Sequence, residues 1–429
     1  MIKIISSENE KEIIELVRGR NAQASEEITK GVEAIIEDVR TGGDEALRKY
    51  TKKFDGVDIN DFAVTAEEID EAFNETAPEL ISAMKRSAEN IRAFHQLQMR
   101  TSQADRDPKD FSLGQKIIPL ERVALYVPGG RAAYPSSVLM NAIPAKVAGV
   151  SEVFIITPPN KEGKLNPVIL AAAKIAGVDK IYKVGGAQGA AAAAYGTESI
   201  KRADKIVGPG NIFVATAKRL LYGIVDIDMV AGPSEIMVIA DDKCNPAFVA
   251  ADMLSQAEHD TMASSILLCL SDNFANKVVE ELKIQTAQRS RKETIEQSLA
   301  NYSRIVVCKT PDECIDLANE IAPEHLEVML ENAPSYWSRI RNAGAVFFGQ
   351  YTPEPVGDYL AGPSHVLPTG GSARFFSGLN VDSFLKKVNF VNFTREMLMD
   401  IAEDTVTFAM SEGFDAHANS VIVRMKEDK

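Results

Sequence analysis

The sequence predicts an α/β protein with two parallel-sheet domains, and two observations carry that prediction. From Arg122 to about Gly349, short apolar segments of strand length alternate with segments of helix length. Glycine-rich turns follow predicted strands at residues 127–130, 184–189 and 207–211. Strands that are buried on both faces form continuous apolar runs, so this alternation is typical of a parallel sheet covered by helices.

The predicted elements fall into four stretches of the chain. Residues 1–120 are charged and mostly helical, with apolar positions at three- and four-residue spacing. The first alternating block contains the strands "RVALYV", "EVFIIT", "KIYKV" and "KIVG", and the second contains "EIMVIA", "SSILLCL", "RIVVC" and "AGAVFFG". After about Gly370 the chain is rich in Gly and Ser and then helical. This tail is too short to fold alone, so we expect it to dock on another body.

Composition narrows the function classes. The 429 residues suggest about two to four domains, and a hydrophobic share of 45% is enough for an ordinary core. A net charge of −14 without a dense Lys/Arg block argues against nucleic acid as a partner. The N-terminus has no signal-peptide pattern, and no apolar run is long enough to span a membrane. We therefore expect a cytoplasmic protein.

The four cysteines show no metal-binding spacing. They are Cys244, Cys269, Cys308 and Cys314. Reduced thiols are the plain interpretation. A nucleophilic thiolate is the alternative, but no activating histidine or helix N-terminus lies beside Cys269 or Cys308 in the sequence.

The glycine-rich turns leave two interpretations open. Each turn places glycine where a strand leads into a helix, a geometry in which backbone N–H groups can face a phosphate. The dinucleotide fingerprint is incomplete, because Phe213 stands where the third glycine would be after Gly208 and Gly210. Ordinary tight turns are the alternative, and any dinucleotide site here is expected to be an incomplete one.

Four of the five histidines lie near carboxylates in the sequence. "SQAEHD" places Gln256 and His259 three residues apart on one helix face, and "APEHLE" joins Glu324 to His325. The loop after residue 352 carries Asp358 and His365, and "SEGFDAHANS" carries Glu412 and His417. Each could be an ordinary satisfied polar residue, as we expect for His95 on its helix. Together, the set suits zinc with mixed nitrogen and oxygen ligands and a Glu-His pair for acid/base work.

Eight motifs in order carry a family resemblance: "YVPGG", "VGGAQ", "VGPGN", "AGPSE", "QAEHD", "APEHLE", "GDYLAGPSHVLPT" and "AHANSV". In combination they resemble histidinol dehydrogenase over almost the whole chain. The resemblance implies a zinc-dependent homodimer that oxidises L-histidinol through an aldehyde to L-histidine with two NAD⁺. It also implies two incomplete Rossmann-like domains, with small terminal segments exchanged between subunits and active sites shared by the two.

The resemblance assigns roles position by position. It makes Glu324 and His325 the acid/base pair, and it leaves His365 a supporting role. It implies one zinc per subunit, held by Gln256, His259 and Asp358 and by His417 from the other subunit. The four zinc ligands and His325 would also contact the substrate, together with Ser234 and Glu412. The implied NAD contacts are Tyr126, Gln188 and Asn211.

The chain is expected to divide into four parts. We expect a helical N-terminal segment at 1–25, a larger α/β domain at 26–121 plus 236–372, an inserted NAD-binding domain at 122–235 and an exchanged tail at 373–429. A zinc-dependent hydrolase is the main alternative function, although it would not need the glycine-rich turns. A non-catalytic two-lobed binding protein is the third, and the Glu-His pair counts against it.

Overall fold

A computed structural model describes residues 2–19, 25–104, 112–129, 133–230 and 232–426. Gly130 of the first glycine-rich turn therefore lies outside the described residues. The chain divides into two compact units. The first comprises Met1–Met99 and Pro119–Phe384, and the second comprises Arg100–Ile118 and Leu385–Lys429. The domain bounds expected from the sequence stay a prediction.

The strands of the described residues are, in chain order, β1 Lys3–Ser6, β2 Gln103–Ala104, β3 Leu113–Pro119, β4 Arg122–Tyr126, β5 Glu152–Thr157, β6 Lys180–Lys183, β7 Lys205–Val207, β8 Asp226–Ile227, β9 Glu235–Ala240, β10 Ser264–Cys269, β11 Arg304–Val307, β12 His325–Met329, β13 Ala345–Phe348 and β14 Leu385–Val391.

The α-helices of the described residues are α1 Glu10–Arg18, α2 Glu26–Asp55, α3 Ala66–Glu75, α4 Pro78–Gln96, α5 Pro135–Ala148, α6 Pro167–Ala176, α7 Gly186–Tyr195, α8 Ile212–Leu221, α9 Pro246–Ala257, α10 Asp272–Thr286, α11 Lys292–Asn301, α12 Pro311–Ile321, α13 Glu354–Tyr359, α14 Arg395–Ser411 and α15 Asp415–Met425. Within the described ranges, none of these helices combines the length and apolar character needed to cross a membrane.

The first alternating block forms a five-stranded parallel sheet in the order β6-β5-β4-β7-β8. Counted from its own first strand, this is the order 3-2-1-4-5 of a doubly wound fold that lacks a sixth strand. The strand order reverses between β4 and β7, which opens a crevice at their carboxyl ends. Helices α2, α7 and α8 supply much of the apolar core on one face.

The second block forms a six-stranded parallel sheet in the order β1-β11-β10-β9-β12-β13. Strands β9 to β13 repeat the 3-2-1-4-5 order of the first sheet. The α/β class with two incomplete Rossmann-like sheets is thereby confirmed. One detail was wrong: the N-terminal segment is not only helical, because Lys3–Ser6 pairs in register with Arg304–Val307 and adds an edge strand.

Local sequence signals set many of the helix ends. Asn166 caps α6 by accepting a hydrogen bond from the backbone N–H of Val168, and Pro167 follows at the first helical position. Gly177 ends the same helix in the left-handed conformation. Thr65 and Glu68 form a complete capping box at the start of α3. These short-range devices explain why the alternation is readable from the sequence.

The second unit contains a small sheet and two helices. Its strands lie in the order β14-β3-β2, with β2 antiparallel to β3. Gly114 allows close packing there, since a Cβ at this position would lie 2.1 Å from the ring of Phe390. Helices α14 and α15 pack against each other. The tail therefore joins a segment from residues 100–118, a partner that the sequence analysis did not predict.

Candidate functional site

A cavity of about 330 Å³ lies within the first unit, where the two sheets meet. The carboxyl ends of β4 and β7 contribute Pro128 and the turn 208–210. The amino ends of β9 and β12 contribute Ser234, Glu324 and His325. One wall thus comes from the reversal point of the five-stranded sheet, the place where doubly wound folds bind ligands.

His325 presents an unprotonated ring nitrogen to this cavity. It is the first residue of β12, and its Nδ1 lies 2.9 Å from the backbone oxygen of Glu235. Because a carbonyl can only accept, Nδ1 carries the proton. Nε2 is then the acceptor, and it has no hydrogen-bond partner among the described residues. Burial lowers the pKa of His325, which keeps the imidazole neutral at neutral pH. The geometry suits a general base.

Glu324 lies beside His325 and is equally buried. Its Oε2 accepts a hydrogen bond from the backbone N–H of Glu235 at 2.8 Å and lies 3.7 Å from the His325 Nδ1. Burial raises the pKa of Glu324 well above its usual value, and the nearby carboxylate of Glu235 raises it further. The sequence pair therefore becomes one site in which an imidazole and a carboxyl face the same cavity with perturbed pKa values.

The end of α9 places Gln256 and His259 on the cavity wall. Gln256 is buried, and its Oε1 has no hydrogen-bond partner among the described residues. His259 follows the helix end and is exposed. A buried, unsatisfied carboxamide oxygen is costly unless a ligand or ion completes it. The arrangement fits the prediction that this helix end offers ligands to a cation.

Asp358 on α13 reaches the same cavity and stays ionised. Its Oδ1 lies 3.5 Å from Nδ1 of His365, which also lines the cavity. Burial would raise the pKa of Asp358, but the hydrogen bond to His365 and its charge outweigh burial and lower the pKa to about 2. An anionic oxygen in a cavity that also holds imidazole and amide donors suits a divalent metal such as zinc.

Glu354 is a site residue that the sequence analysis missed. One donor atom each from His325, Glu354 and Asp358 lies within 4.8 Å of the others. The Oε1 of Glu354 lies 3.6 Å from the unpartnered Nε2 of His325. A signal was present in "PEPVGDY": Glu354 and Asp358 are four residues apart and share a helix face. It was missed because a six-residue helix between prolines resembles a loop.

Glu412 and His417 belong to the second unit. Glu412 caps the end of α14, and His417 lies in the first turn of α15. Both are exposed, and both line a groove of about 880 Å³ on this unit together with Phe408 and Phe414. The predicted roles of Glu412 and His417 stay predictions.

The three predicted NAD residues lie near the carboxyl ends of β4, β6 and β7: Tyr126 is the last residue of β4, Gln188 is in the first turn of α7, and Asn211 precedes α8. Tyr126 and Gln188 are buried, and the Tyr126 hydroxyl accepts a hydrogen bond from the Gly186 N–H at 3.3 Å. Asn211 caps α8 by accepting from the N–H groups of Phe213 and Val214. The cavity wall is formed by Gly208, Pro209 and Gly210 rather than by these three side chains. Their contacts to NAD stay predictions.

A buried ion pair fixes the turn at Gly208. Nζ of Lys218 donates to the Gly208 backbone oxygen at 3.0 Å and pairs with Asp228. Oδ2 of Asp228 accepts from the Gly208 N–H at 2.7 Å. Both backbone polar groups of Gly208 are thus held by side chains that also line the cavity. The ion pair therefore holds the backbone of this turn in place.

Replacing Gly208 by Ala is expected both to weaken the predicted NAD binding and to lower stability. Gly208 has φ +107, and a Cβ here would lie 2.3 Å from the Tyr126 backbone oxygen, so the turn must move. We expect the KM for NAD⁺ to rise at least about tenfold and the protein to lose about 1–3 kcal/mol. Steady-state kinetics and thermal unfolding measure both. Gly223→Ala is the control, since Gly223 also has positive φ but borders open space. An unchanged KM in the Gly208 variant would contradict the prediction that NAD binds at this glycine-rich turn.

The four thiols do not offer a nucleophile. All are buried and free. Burial raises the pKa of Cys244 and of Cys269 to about 12, so neither forms a thiolate at neutral pH. His95 is also buried, and its Nδ1 lies 2.8 Å from the Ile91 backbone oxygen within α4. These residues contribute to packing.

Comparison with known proteins identifies the family of the chain. A sequence model of the histidinol dehydrogenase family matches residues 18–425. The histidinol dehydrogenase of Lactococcus lactis subsp. lactis (strain IL1403) is 50% identical, over 97% of this chain and 97% of that protein. The one from Listeria innocua serovar 6a is 48% identical over 100% of both. A crystal structure of histidinol dehydrogenase from Elizabethkingia anophelis superposes with a TM-score of 0.93 at 39% identity, covering 100% of this chain and 98% of that one. The chain belongs to the histidinol dehydrogenase family, whose members are NAD-dependent oxidoreductases that act on histidinol.

Proposed function

We propose that this chain catalyses the zinc-dependent, four-electron oxidation of L-histidinol through the aldehyde to L-histidine, with two NAD⁺ per substrate, as the final step of histidine biosynthesis. The observation that carries the proposal is the free Nε2 of buried His325, which faces a cavity shared by Gln256, Asp358 and the Gly208 turn. Membership of a dehydrogenase family speaks against the hydrolase and the non-catalytic binding protein. The hydrolase and the binding protein would bind no nucleotide, so neither would need the glycine-rich turn at Gly208.

The donor set fits a zinc ion. Gln256 supplies an unsatisfied buried oxygen, Asp358 an anionic oxygen and His259 an imidazole, all on one cavity. His417 of a second subunit would complete four ligands. When bound, zinc would orient the imidazole and amine of histidinol, and NAD⁺ would accept hydride from the substrate carbon.

His325 supplies the base for the first oxidation. Its Nδ1 is anchored on the Glu235 carbonyl, so the ring cannot turn away, and Nε2 is ready to accept the proton of the substrate hydroxyl. As hydride leaves the carbon, the alcohol becomes an aldehyde. The burial of the cavity wall limits the access of bulk water and keeps the aldehyde bound.

Glu324 supplies the base for the second oxidation. In its ionised form Glu324 would take a proton from water as that water adds to the aldehyde carbon. The His325 imidazolium would return its proton to the aldehyde oxygen, which gives a gem-diol and leaves His325 neutral again. A second hydride then leaves the same carbon, and the acid forms. His325 accepts the proton of the reacting hydroxyl again. Glu324 thus acts only in the second oxidation, whereas His325 acts in both.

Replacing Glu324 by Gln is expected to slow aldehyde oxidation by about 10²–10⁴-fold, the usual contribution of a general base. Alcohol oxidation should change by less than about tenfold, because His325 remains on its carbonyl anchor. NADH formation is measured separately from L-histidinol and from L-histidinal. Glu331→Gln is the control, because Glu331 is an exposed carboxylate two residues beyond the opposite end of β12. Equal losses in both half-reactions would contradict the division of roles.

We infer from the resemblance to histidinol dehydrogenase that the chain forms a homodimer with shared active sites. Phe408, Met410 and Phe414 are exposed on the second unit close in sequence to Glu412 and His417. Apolar side chains grouped in this way are typical of an interface. The cytoplasmic location stays a prediction.

A further inference from the structure

Two buried carboxyl groups, Asp252 and Glu327, lie against each other near the cavity. Asp252 is on α9 and is 7% exposed, and Glu327 is on β12 and is 1% exposed. The Glu327 Oε1 accepts the backbone N–H of Glu354 at 2.7 Å. The Glu327 Oε2 accepts no hydrogen bond from an N–H or hydroxyl group of the described residues. The neighbouring carboxyl of Asp252 can satisfy it only when one proton lies between the two groups.

The environment favours such a shared proton. Burial raises the pKa of Asp252 to about 6, and burial together with the charge of Asp252 raises the pKa of Glu327 well above its usual value. Glu354 on α13 is also buried close by, which adds a third carboxyl. Two ionised groups would repel in this low-dielectric place, so the pair acts as one hydrogen-bonded unit with one negative charge.

The pair joins the three elements that carry the predicted site of the first unit. Asp252 is on α9, one turn before Gln256 and two turns before His259. Glu327 is on β12, two residues after His325, and both side chains lie on the same side of the strand. Through the N–H of Glu354, Glu327 also holds the start of α13, which carries Asp358. Helix, strand and short helix therefore meet at one carboxyl group.

We propose that Glu327 and Asp252 are positioning residues that fix the spacing between the metal ligands on α9 and α13 and the base His325 on β12. The inference rests on the proposed function, because it concerns the geometry of that same metal site. Neither side chain is among the residues that line the cavity, so their effect is transmitted through the elements they join. Replacing a residue that holds metal ligands in place typically weakens metal affinity by about 10–100-fold.

The test compares zinc affinity, thermal unfolding and kinetics for several variants of the full chain. Zn²⁺ affinity is measured by competition with a chromogenic chelator. Glu327→Gln keeps both hydrogen bonds, since its amide donates to Asp252 and its oxygen accepts from Glu354, and it should bind zinc within about threefold of wild type. Glu327→Ala breaks both and should bind zinc about 10–100-fold more weakly, with a lower kcat.

A double variant separates positioning from packing. Asp252→Leu with Glu327→Met replaces the pair by apolar side chains, which often restores stability in a buried place. We expect it to unfold near the wild-type temperature and still to bind zinc weakly, because the hydrogen bond to Glu354 is gone. Ser265→Ala is the matched control: Ser265 ties α9 to β10 through the Met253 backbone oxygen at 2.6 Å without contact to β12 or α13.

The outcomes separate the two proposals. Wild-type protein that binds no zinc would overturn the zinc part of the proposed function and this inference with it. Wild-type affinity that persists in Glu327→Ala, or returns in the double variant together with stability, would overturn the inference alone. Weakened affinity in Glu327→Gln equal to that of Glu327→Ala would also overturn it, since the hydrogen bonds would then be irrelevant.

Discussion

Replacing His325 by Gln is expected to lower kcat for L-histidinol by about 10²–10⁴-fold, the range that a general base contributes. His325 is the buried imidazole whose Nδ1 is anchored on the Glu235 carbonyl and whose Nε2 faces the cavity. A glutamine can keep the carbonyl contact through its amide, but it has no basic nitrogen. Because His325 serves both oxidations in this account, NADH formation from L-histidinol and from L-histidinal should fall together, in contrast to Glu324→Gln.

A second histidine provides the control for this variant. His95 is also buried, and its Nδ1 also lies on a backbone oxygen, that of Ile91, but it is outside the cavity. His95→Gln should lower stability and leave the kcat of the folded protein within about threefold. If His325→Gln folds, binds substrate and loses less than about tenfold in kcat, His325 is not the base.

Replacing Asp358 by Ala is expected to weaken zinc binding by more than about 100-fold. This loss is larger than the loss caused by replacing a residue that only supports a metal ligand. Asp358 is the only predicted ligand with a full negative charge, and His365 holds it ionised. Metal content after dialysis, measured by mass spectrometry, reports the loss directly. Asp260→Asn is the control, because it removes a carboxylate next to His259 that only caps its own turn at the Met262 N–H. Full zinc occupancy in Asp358→Ala would refute the assignment.

The same assignment predicts that His417→Asn loses zinc, and mixing the two variants tests where His417 acts. If each site combines one subunit's Asp358 with the other's His417, a mixed dimer has one intact site. Random reassociation should then restore about a quarter of the wild-type activity, since half of the dimers are mixed and each has one of two sites. No recovery after unfolding and joint refolding would contradict shared sites.

The alternation of strands and helices could be predicted because its signals are local. The strands β4, β5, β9 and β10 are mostly apolar, and capping residues such as Asn166 mark helix starts between strands. The strand Lys3–Ser6 was missed because its stability comes from Arg304–Val307, about 300 residues away in the chain. An edge strand with exposed ends has no continuous apolar run to reveal it.

For the cavity of the first unit, the sequence indicated several of the lining residues but not the contacts between them. "APEHLE" suggested that Glu324 and His325 act together, and they do share one cavity. The sequence could not indicate that a carbonyl at residue 235 fixes the His325 tautomer, because β9 and β12 become neighbours only through the strand order. The Asp252–Glu327 pair was missed for the same reason, since its two carboxyl groups lie on different elements that only the fold brings together.

The most direct measurement of the central claim is the yield of NADH per L-histidinol in a limiting-substrate assay, repeated after chelation and after return of zinc. We expect two NADH for each L-histidinol, with L-histidine as the product, loss of the reaction on chelation and recovery with zinc. One NADH per substrate, with the aldehyde released, would contradict the second oxidation assigned to Glu324 and His325. An unchanged rate in fully metal-free protein would contradict the zinc site.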